Sequence, residues 1–273
     1  MKLRGVRRSR NVEDRRGMAS GGMKVGAVGF LAVLALSYFT GIDLTPLVSG
    51  GGDNRLEAPT AAEEEAADFS AAVLGTTESV WSDIFRDQLN ASYRPPVLVL
   101  FSGTTSSPCG GASGATGPFY CPADRKAYLD TAFFATLRQL GAKGDFAAAY
   151  VIAHEVAHHV QNETGILPEV NALRQRASET EANALTVRLE LQADCLSGVY
   201  ASRVDGLLEP GDLEEALNAA RQIGDDTLQR RAGRVPQPHT FTHGTSEQRA
   251  RWFARGYEGG DIDDCDTFGA ARL

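Results

Sequence analysis

The chain reads Phe146-Ala-Ala-Ala-Tyr-Val-Ile-Ala-His-Glu-Val-Ala-His-His-Val-Gln-Asn-Glu163 near its middle, an unbroken run of helix-compatible residues. Asp145 precedes this run as a plausible N-cap, and a Thr-Gly pair ends it at Gly165. These signals predict an α-helix over Phe146–Glu163. The segment 148–153, just before the histidines, is apolar, so we expect the helix to be buried in the core of the domain.

His154-Glu-Val-Ala-His158, inside this helix, has the spacing of a zinc site. Residues four apart lie just over one turn apart, so both imidazoles project from one face about 6 Å apart and can share one Zn²⁺. Glu155 lies beside them, where it can deprotonate a metal-bound water. The pattern also occurs by chance in helices with ordinary hydrogen-bonded histidines. In a buried helix, however, these three side chains would be costly without a metal.

A third protein ligand is expected from another helix, where Glu190-Leu-Gln-Ala-Asp194 places two carboxylates on one face. Glu190 can bind the metal, and Asp194 can accept the N–H of a ligand histidine and so fix its tautomer. Carboxylates on a helix face are usually only solvated, but apolar neighbours indicate a packed helix here. The rival acids Glu179 and Glu181 lie in a polar stretch.

If the metal-bound water attacks a carbonyl, a further donor is needed to stabilise the oxyanion that forms, and His243 is the candidate. It lies just before Thr245-Ser-Glu-Gln248, a capping-box signature that opens the last predicted helix, to about Gly256. We interpret Arg249 as a structural or carboxylate-binding residue and His239 as a loop residue. His159 points away from His158 and is expected to support the site or to pack.

The rest of the chain predicts an α+β fold that is mostly α. Strands are expected at 93–101, 119–120 and 126–130, with a loop at 102–118. Further helices are expected at 69–90, 131–140, 168–188, 189–204 and 211–222, followed by a polar loop at 223–242.

The N-terminal region predicts a membrane anchor. Residues 1–24 carry eight Lys/Arg and two acidic residues, and residues 25–42 contain no charge. Eighteen helical residues span about 27 Å, enough for a hydrocarbon core. The positive-inside rule then predicts a basic cytoplasmic head (1–24), a single transmembrane helix (25–42), a linker (43–68) and a zinc metallopeptidase domain (69–273) on the periplasmic or extracellular side. A cleaved signal peptide is the alternative.

The acidic remainder of the chain excludes nucleic acid as an expected partner. The net charge is −8, so the chain beyond the basic head carries about −14, whereas phosphate binding needs concentrated Lys/Arg. On the exported side, the four cysteines predict disulfides. Cys109 and Cys121 bound a small-residue loop and form the natural pair, which leaves Cys195 with Cys265.

These motifs together resemble a bacterial family of membrane-anchored neutral zinc metallopeptidases. The matching segments are Gly117-Pro-Phe-Tyr-Cys-Pro122, Tyr128-Leu-Asp130, His154-Glu-Val-Ala-His-His-Val-Gln161, Glu190-Leu-Gln-Ala-Asp-Cys195 and His243-Gly-Thr-Ser-Glu-Gln-Arg249. The layout is also similar to that of gluzincins. The resemblance implies a zincin-like domain, a ligand role for His154, His158 and Glu190, and a base role for Glu155.

The expected function is therefore zinc-dependent hydrolysis of peptide bonds in a peptide or protein substrate. Two alternatives stay open from the sequence. One is a catalytically silent zinc-binding scaffold, against which Glu155 argues because a structural site has no use for a base beside an open position. The other is a zinc hydrolase of a non-peptide substrate.

Overall fold

The structure, a computed structural model, describes residues 1–17, 58–113, 117–204 and 206–273. The helices are α1 (Ala61–Asp87), α2 (Phe133–Gln139), α3 (Asp145–Glu163), α4 (Ile166–Arg174), α5 (Glu179–Ser202), α6 (Asp212–Gln222), α7 (Asp225–Arg231) and α8 (Ser246–Gly259). The strands are β1 (Val12–Asp14), β2 (Val97–Phe101), β3 (Thr104–Ser107), β4 (Gly110–Ser113), β5 (Phe119–Cys121) and β6 (Lys126–Asp130). Two 3₁₀ turns lie at Pro238–Thr240 and Ile262–Cys265.

Four strands form one sheet in the order β1-β2-β6-β5. The pairs β1–β2 and β2–β6 are parallel, whereas β5 pairs antiparallel with β6 and lies at an edge. Leu98, Leu100 and Leu129 on one face belong to the main core together with α1 and α3. Val99 and Tyr128 on the other face form a smaller apolar cluster. Strands β3 and β4 form a separate hairpin.

Helix α3 lies at the centre of the domain. Every residue from Phe146 to Gln161 is buried, and the helix packs against α1, α5, α6 and the sheet. The sequence prediction of this buried helix is confirmed to within one residue. Its first residue is Asp145, and Gly144 occupies the N-cap position with a positive φ of 100°. The expected cap by the Asp145 side chain is therefore absent.

The backbones of helices α5 and α8 are in direct contact because each helix has a glycine at the interface. A Cβ on Gly198 would overlap the Phe253 carbonyl oxygen, and one on Gly256 would overlap that of Cys195. The Cys195–Cys265 disulfide ties α5 to the turn that follows α8. The Cys109–Cys121 disulfide ties the turn between β3 and β4 to strand β5, so both predicted pairings are confirmed.

Residues 1–17 pack against the domain. Strand β1 pairs with β2 through Val12 and Leu98, and the Arg7 carbonyl lies so close to Gly75 of α1 that a Cβ there would overlap it. The Met1 ammonium lies 2.8 Å from Asp145 Oδ1 at the start of α3. Together these contacts build the segment into the same fold as α1 and α3.

The prediction of a transmembrane helix ahead of the domain is corrected. Among the described residues, no helix has both the length and the apolar character that a membrane span requires, and the predicted span 25–42 lies outside the described residues. The predicted topology also placed a bilayer between residues 1–24 and 43–273. The packing of residues 1–17 on the domain contradicts that arrangement, so the single-pass localisation and the lipid partner at 25–42 are not supported.

Several element boundaries differ from the predictions for local reasons. Helix α1 begins at Ala61, inside the predicted linker, because Thr60 and Glu63 form a capping box. The predicted pair of helices at 168–188 and 189–204 instead divides near Ser178, which caps α5. The predicted loops contain the β3–β4 hairpin and α7.

Candidate metal centre

Helices α3 and α5 bring three potential metal ligands together. His154 Nε2 lies 3.1 Å from Glu190 Oε2, and His158 Nε2 lies 3.4 Å from Glu190 Oε1. One atom from each of the three side chains lies within 4.8 Å of the other two. The one-turn spacing of the histidines on α3 puts both rings on one face, and the facing turn of α5 supplies the carboxylate. Two imidazole nitrogens and one carboxylate oxygen suit a zinc site with an open fourth position.

The electrostatics of this cluster favour a positive charge at His154, which lies between the carboxylates of Glu190 and Asp194. Burial lowers the pKa of His154, but Asp194 and Glu190 outweigh it and raise the pKa to about 10. Burial raises the pKa of Glu190, yet His158 and His154 hold it well below its usual range. The positive charge can come from protons on the histidines or from a divalent cation, so the donor set fits a metal.

Asp194 lies behind His154 and is completely buried. Its Oδ1 is 3.0 Å from His154 Nδ1, an ion-pair contact without hydrogen-bond geometry. Tyr150 donates a hydrogen bond of 2.5 Å to Asp194 Oδ1. Arg249 donates from Nε to Oδ2 at 2.9 Å and from a terminal nitrogen to Oδ1 at 3.0 Å. The predicted carboxylate-binding character of Arg249 is thus seen in a bidentate pair.

Glu155 lies on the helix that carries both histidines, and it lines the same cavity. Only 9% of its surface is exposed. Burial raises the pKa of its carboxyl group above the usual value, although the neighbouring His158 and His154 oppose the shift. A carboxylate whose pKa is raised in this way binds a proton more readily than an ordinary carboxylate, as a general base must.

The structure places His243 on the wall of the cavity, with its side chain about half exposed. Asp225, the first residue of α7, lies 3.3 Å from His243 Nδ1 through Oδ1. Asp225 Oδ2 accepts three consecutive backbone N–H groups, from Thr242, His243 and Gly244, at 2.6–3.0 Å. Burial opposes the ionisation of Asp225, but these bonds hold its pKa below the usual range. Asp225 therefore fixes both the loop and the ring of His243.

The cavity has a volume of about 550 Å³ and is lined mostly by apolar surface. His154, His158 and Glu190 lie on its wall, together with Phe119 and Tyr120 of the edge strand β5. A space of this size can receive several side chains of a ligand.

The two remaining histidines lie outside the cluster. His159 is buried, with Nδ1 3.0 Å from the Tyr120 hydroxyl and Nε2 2.6 Å from the Arg94 carbonyl oxygen. It packs β5 and the chain before β2 against α3, in agreement with its predicted packing role. His239 lies in an exposed 3₁₀ turn, as predicted for a loop residue.

Sequence reasoning missed four supporting residues. Tyr150 lies one turn before His154, and Gln161 lies three residues after His158, so their helical spacing could have indicated them. Gln192 lies between Glu190 and Asp194. Asp225 carries no such signal, because it reaches His243 only through the tertiary fold.

The fold and the site define a class: an α+β protein, mostly helical, with a buried His-His-Glu cluster at a cavity. Residues 1–268 match the family described as "Putative neutral zinc metallopeptidase", and the chain belongs to this family. It is 46% identical to "Uncharacterized protein YpfJ" of Escherichia coli strain K12, over 98% of this chain and 99% of the relative. It is 43% identical to "Uncharacterized protein Rv2575" of Mycobacterium tuberculosis strain H37Rv, over 72% of this chain and 69% of the relative. No solved structure matches the chain.

Proposed function

We propose that this chain is a zinc-dependent peptidase in which His154, His158 and Glu190 hold the metal. The observation that carries the proposal is the convergence of three ligand atoms, from two helices, within 4.8 Å at the wall of a cavity. Zinc bound there would polarise the carbonyl of the scissile bond and lower the pKa of water. The family membership supports the same metal and the same reaction class.

Glu155 supplies the proton transfer in this proposal. It follows the first ligand directly on α3, lines the cavity and is not part of the ligand cluster. Its carboxylate takes a proton from the attacking water and passes it to the nitrogen of the leaving amine. The raised pKa of Glu155 supports this exchange, because it makes the carboxylate a stronger base toward the attacking water.

His243 is the proposed donor to the oxyanion that develops on the scissile carbonyl. Asp225 orients its ring through Nδ1, which leaves Nε2 free to donate when the ring is protonated. Asp194, held by Arg249 and Tyr150, positions His154 and is proposed as its supporting carboxylate.

A peptide substrate suits this cavity better than a compact small molecule. Strand β5 is an edge strand, and its residues Phe119 and Tyr120 line the cavity. An edge strand offers backbone donors and acceptors that an extended peptide can pair with. The apolar lining then accommodates the side chains of the bound segment.

The test is peptide-library cleavage by the full chain, with zinc content measured on the same samples. Glu155→Gln keeps the size of the side chain but removes the base, so we expect retained zinc and at least a ~10²-fold loss of cleavage. His243→Ala should lose about 10²–10³-fold through the missing oxyanion donor, again with zinc retained.

His239→Ala is the matched control, because this histidine lies in an exposed turn away from the cavity, and its cleavage rate should equal that of wild type. Cleavage by Glu155→Gln at the wild-type rate would refute the mechanism. Zinc-loaded wild type that cleaves no peptide in the library would favour the scaffold alternative.

A further inference from the structure

The two ring nitrogens of His158 have different surroundings. Nε2 faces Glu190 Oε1 at 3.4 Å, on the side of the candidate metal centre. Nδ1 faces away from the cavity and lies 2.8 Å from Gln161 Oε1. Gln161 is three residues further along α3 and is fully buried, with 0% of its surface exposed. The interaction therefore forms in the protein interior, where an amide is held in one orientation.

The orientation of the Gln161 amide follows from its other partners. Its Nε2 lies 2.7 Å from the Leu189 carbonyl oxygen. A carbonyl oxygen only accepts hydrogen bonds, so the Gln161 atom that faces it must be the nitrogen. The oxygen of the same amide therefore faces His158. Because that oxygen accepts, His158 Nδ1 must carry the hydrogen, and the lone pair of Nε2 is left for a metal.

A second amide extends this chain of bonds. Gln161 Nε2 also donates to Gln192 Oε1 at 3.0 Å, and Gln192 Nε2 donates to the Cys265 carbonyl oxygen at 3.1 Å. Here too the final acceptor is a backbone oxygen, which fixes the direction of the Gln192 amide. The hydrogen bonds from His158 through Gln161 and Gln192 to the Cys265 carbonyl form a two-amide relay. Cys265 is bonded to Cys195 on α5, so the last acceptor of this relay is held by a disulfide.

We propose that Gln161 and Gln192 are positioning residues for His158. The two-amide relay, anchored at the Cys265 carbonyl, holds the ring in its Nδ1–H tautomer and directs Nε2 toward Glu190. The inference rests on the proposed metal role of His158, but it does not require peptidase activity. The expected size of the effect is that of other hydrogen-bond partners behind metal ligands, a roughly 10–100-fold change in metal affinity.

The first measurement is the zinc affinity of the full chain, from competition with a chromophoric chelator. Gln161→Met keeps an unbranched side chain but removes the acceptor, so zinc affinity should fall roughly 10–100-fold. Gln192→Met should cause a smaller loss, because it acts through Gln161. The double variant should then bind zinc no more weakly than Gln161→Met alone, since the two residues share one path.

Thr77→Val is the control for a loss of stability without an effect on the site. Thr77 is buried on α1, and its hydroxyl donates to the Leu74 carbonyl oxygen at 2.8 Å. This variant should lower the unfolding temperature and leave zinc affinity unchanged. Equal zinc affinities for wild type and Gln161→Met would overturn the inference, as would strictly additive losses in the double variant. Absence of zinc binding by wild type would instead overturn the proposed function and this inference together.

A second measurement needs no substituted protein. The ¹⁵N shifts of the histidine rings in the zinc-loaded wild type report which nitrogen of His158 carries a hydrogen. The relay predicts a hydrogen on Nδ1 and zinc on Nε2. Zinc on Nδ1, with the hydrogen on Nε2, would contradict the relay even if a glutamine variant failed to fold.

Discussion

At the scale of single residues, the two histidines of the candidate site are supported in different ways. His154 is backed by a carboxylate, Asp194, which in turn is held by Arg249. His158 is backed by a neutral amide, Gln161. A carboxylate raises the basicity of its histidine more than an amide does. The two proposed ligands should therefore differ in how firmly they retain a proton before a metal binds.

The proton on His154 leads to a pH prediction. In the metal-free protein, Asp194 and Glu190 raise the pKa of His154 to about 10, above the usual 6.5, against the effect of burial. Zinc requires the unprotonated ring, so below pH 10 binding must displace a proton. Zinc affinity should rise from pH 6 to pH 9, by about tenfold per pH unit for each proton released.

Isothermal titration calorimetry in buffers of different ionisation enthalpy would measure the protons released on zinc binding. We expect at least one proton per zinc at pH 7–8. Asp194→Asn lowers the pKa of His154 by removing one of the two carboxylates, so its proton release should be smaller. A zinc affinity that stays constant from pH 6 to pH 9 would contradict the charge assignment of the cluster.

The sequence pattern predicted which proposed ligand residues come together. It did not predict all of the residues that hydrogen-bond to the histidines of the site. The spacing of His154 and His158 follows from helix geometry alone, and Glu190 and Asp194 fall one turn apart on α5. Gln161 could have been predicted from the same helix geometry, since it lies on the face of α3 that carries His158. Asp225 was not, because its contact with His243 depends on how α7 packs against the loop before α8.

At the scale of elements, the close packing of α5 against α8 holds the carboxylate side of the site. Glu190 and Asp194 lie on α5, and Arg249 reaches Asp194 from α8. Gly198 and Gly256 permit this approach, since a Cβ at either position would overlap a backbone carbonyl oxygen of the partner helix. A backbone atom cannot move aside as a flexible side chain can, so substitution must separate the helices.

Gly198→Ala should therefore destabilise the protein by about 1–3 kcal/mol, the usual cost of overpacking a core. It should also weaken zinc binding, because α5 carries the proposed ligand Glu190. Chemical denaturation of the metal-free protein measures the first effect, and a zinc titration measures the second. Gly111→Ala is the control, since a Cβ there meets no atom within 4 Å. Equal stability of the two variants would show that the contact at Gly198 does not set the distance between α5 and α8.

Element boundaries could be predicted only where the signals were local. The capping box at Thr245 and Gln248 gave the start of α8 to within one residue. The hairpin β3–β4 was missed because a Gly/Ser/Thr-rich stretch has weak strand preference. Its turn is tied to β5 by the Cys109–Cys121 disulfide, a contact that depends on the tertiary fold. The early start of α1 was missed although Thr60 and Glu63 carry the capping signal, because alanines and acids in this stretch suggested a linker.

At the scale of the whole molecule, the N-terminal segment and the candidate metal centre share one helix. The Met1 ammonium lies between Asp145, Glu209 and Asp212, at the start of α3. The same helix carries His154 and His158 two to four turns further on. The charge pattern of the head predicted a membrane topology, but two of its basic residues, Arg7 and Arg8, instead make ion pairs with Glu78 and Asp68 of α1.

Because residues 1–17 pack on the domain, the experiments should use a protein that contains them. A fragment that begins in the predicted linker would lack β1 and leave Leu98 and Leu100 of β2 without their partner strand. The edge of a sheet that has lost its neighbour is prone to pair with other chains. The full chain is therefore the correct material for the metal and cleavage experiments.

The zinc content of the purified full chain tests the central claim most directly. After equilibration with zinc and dialysis, wild type should retain about one zinc per chain, and His154→Ala and His158→Ala should retain none, because the remaining two ligands cannot complete the site. Equal zinc in wild type and in both variants, or a folded wild type that retains no zinc, would contradict the claim.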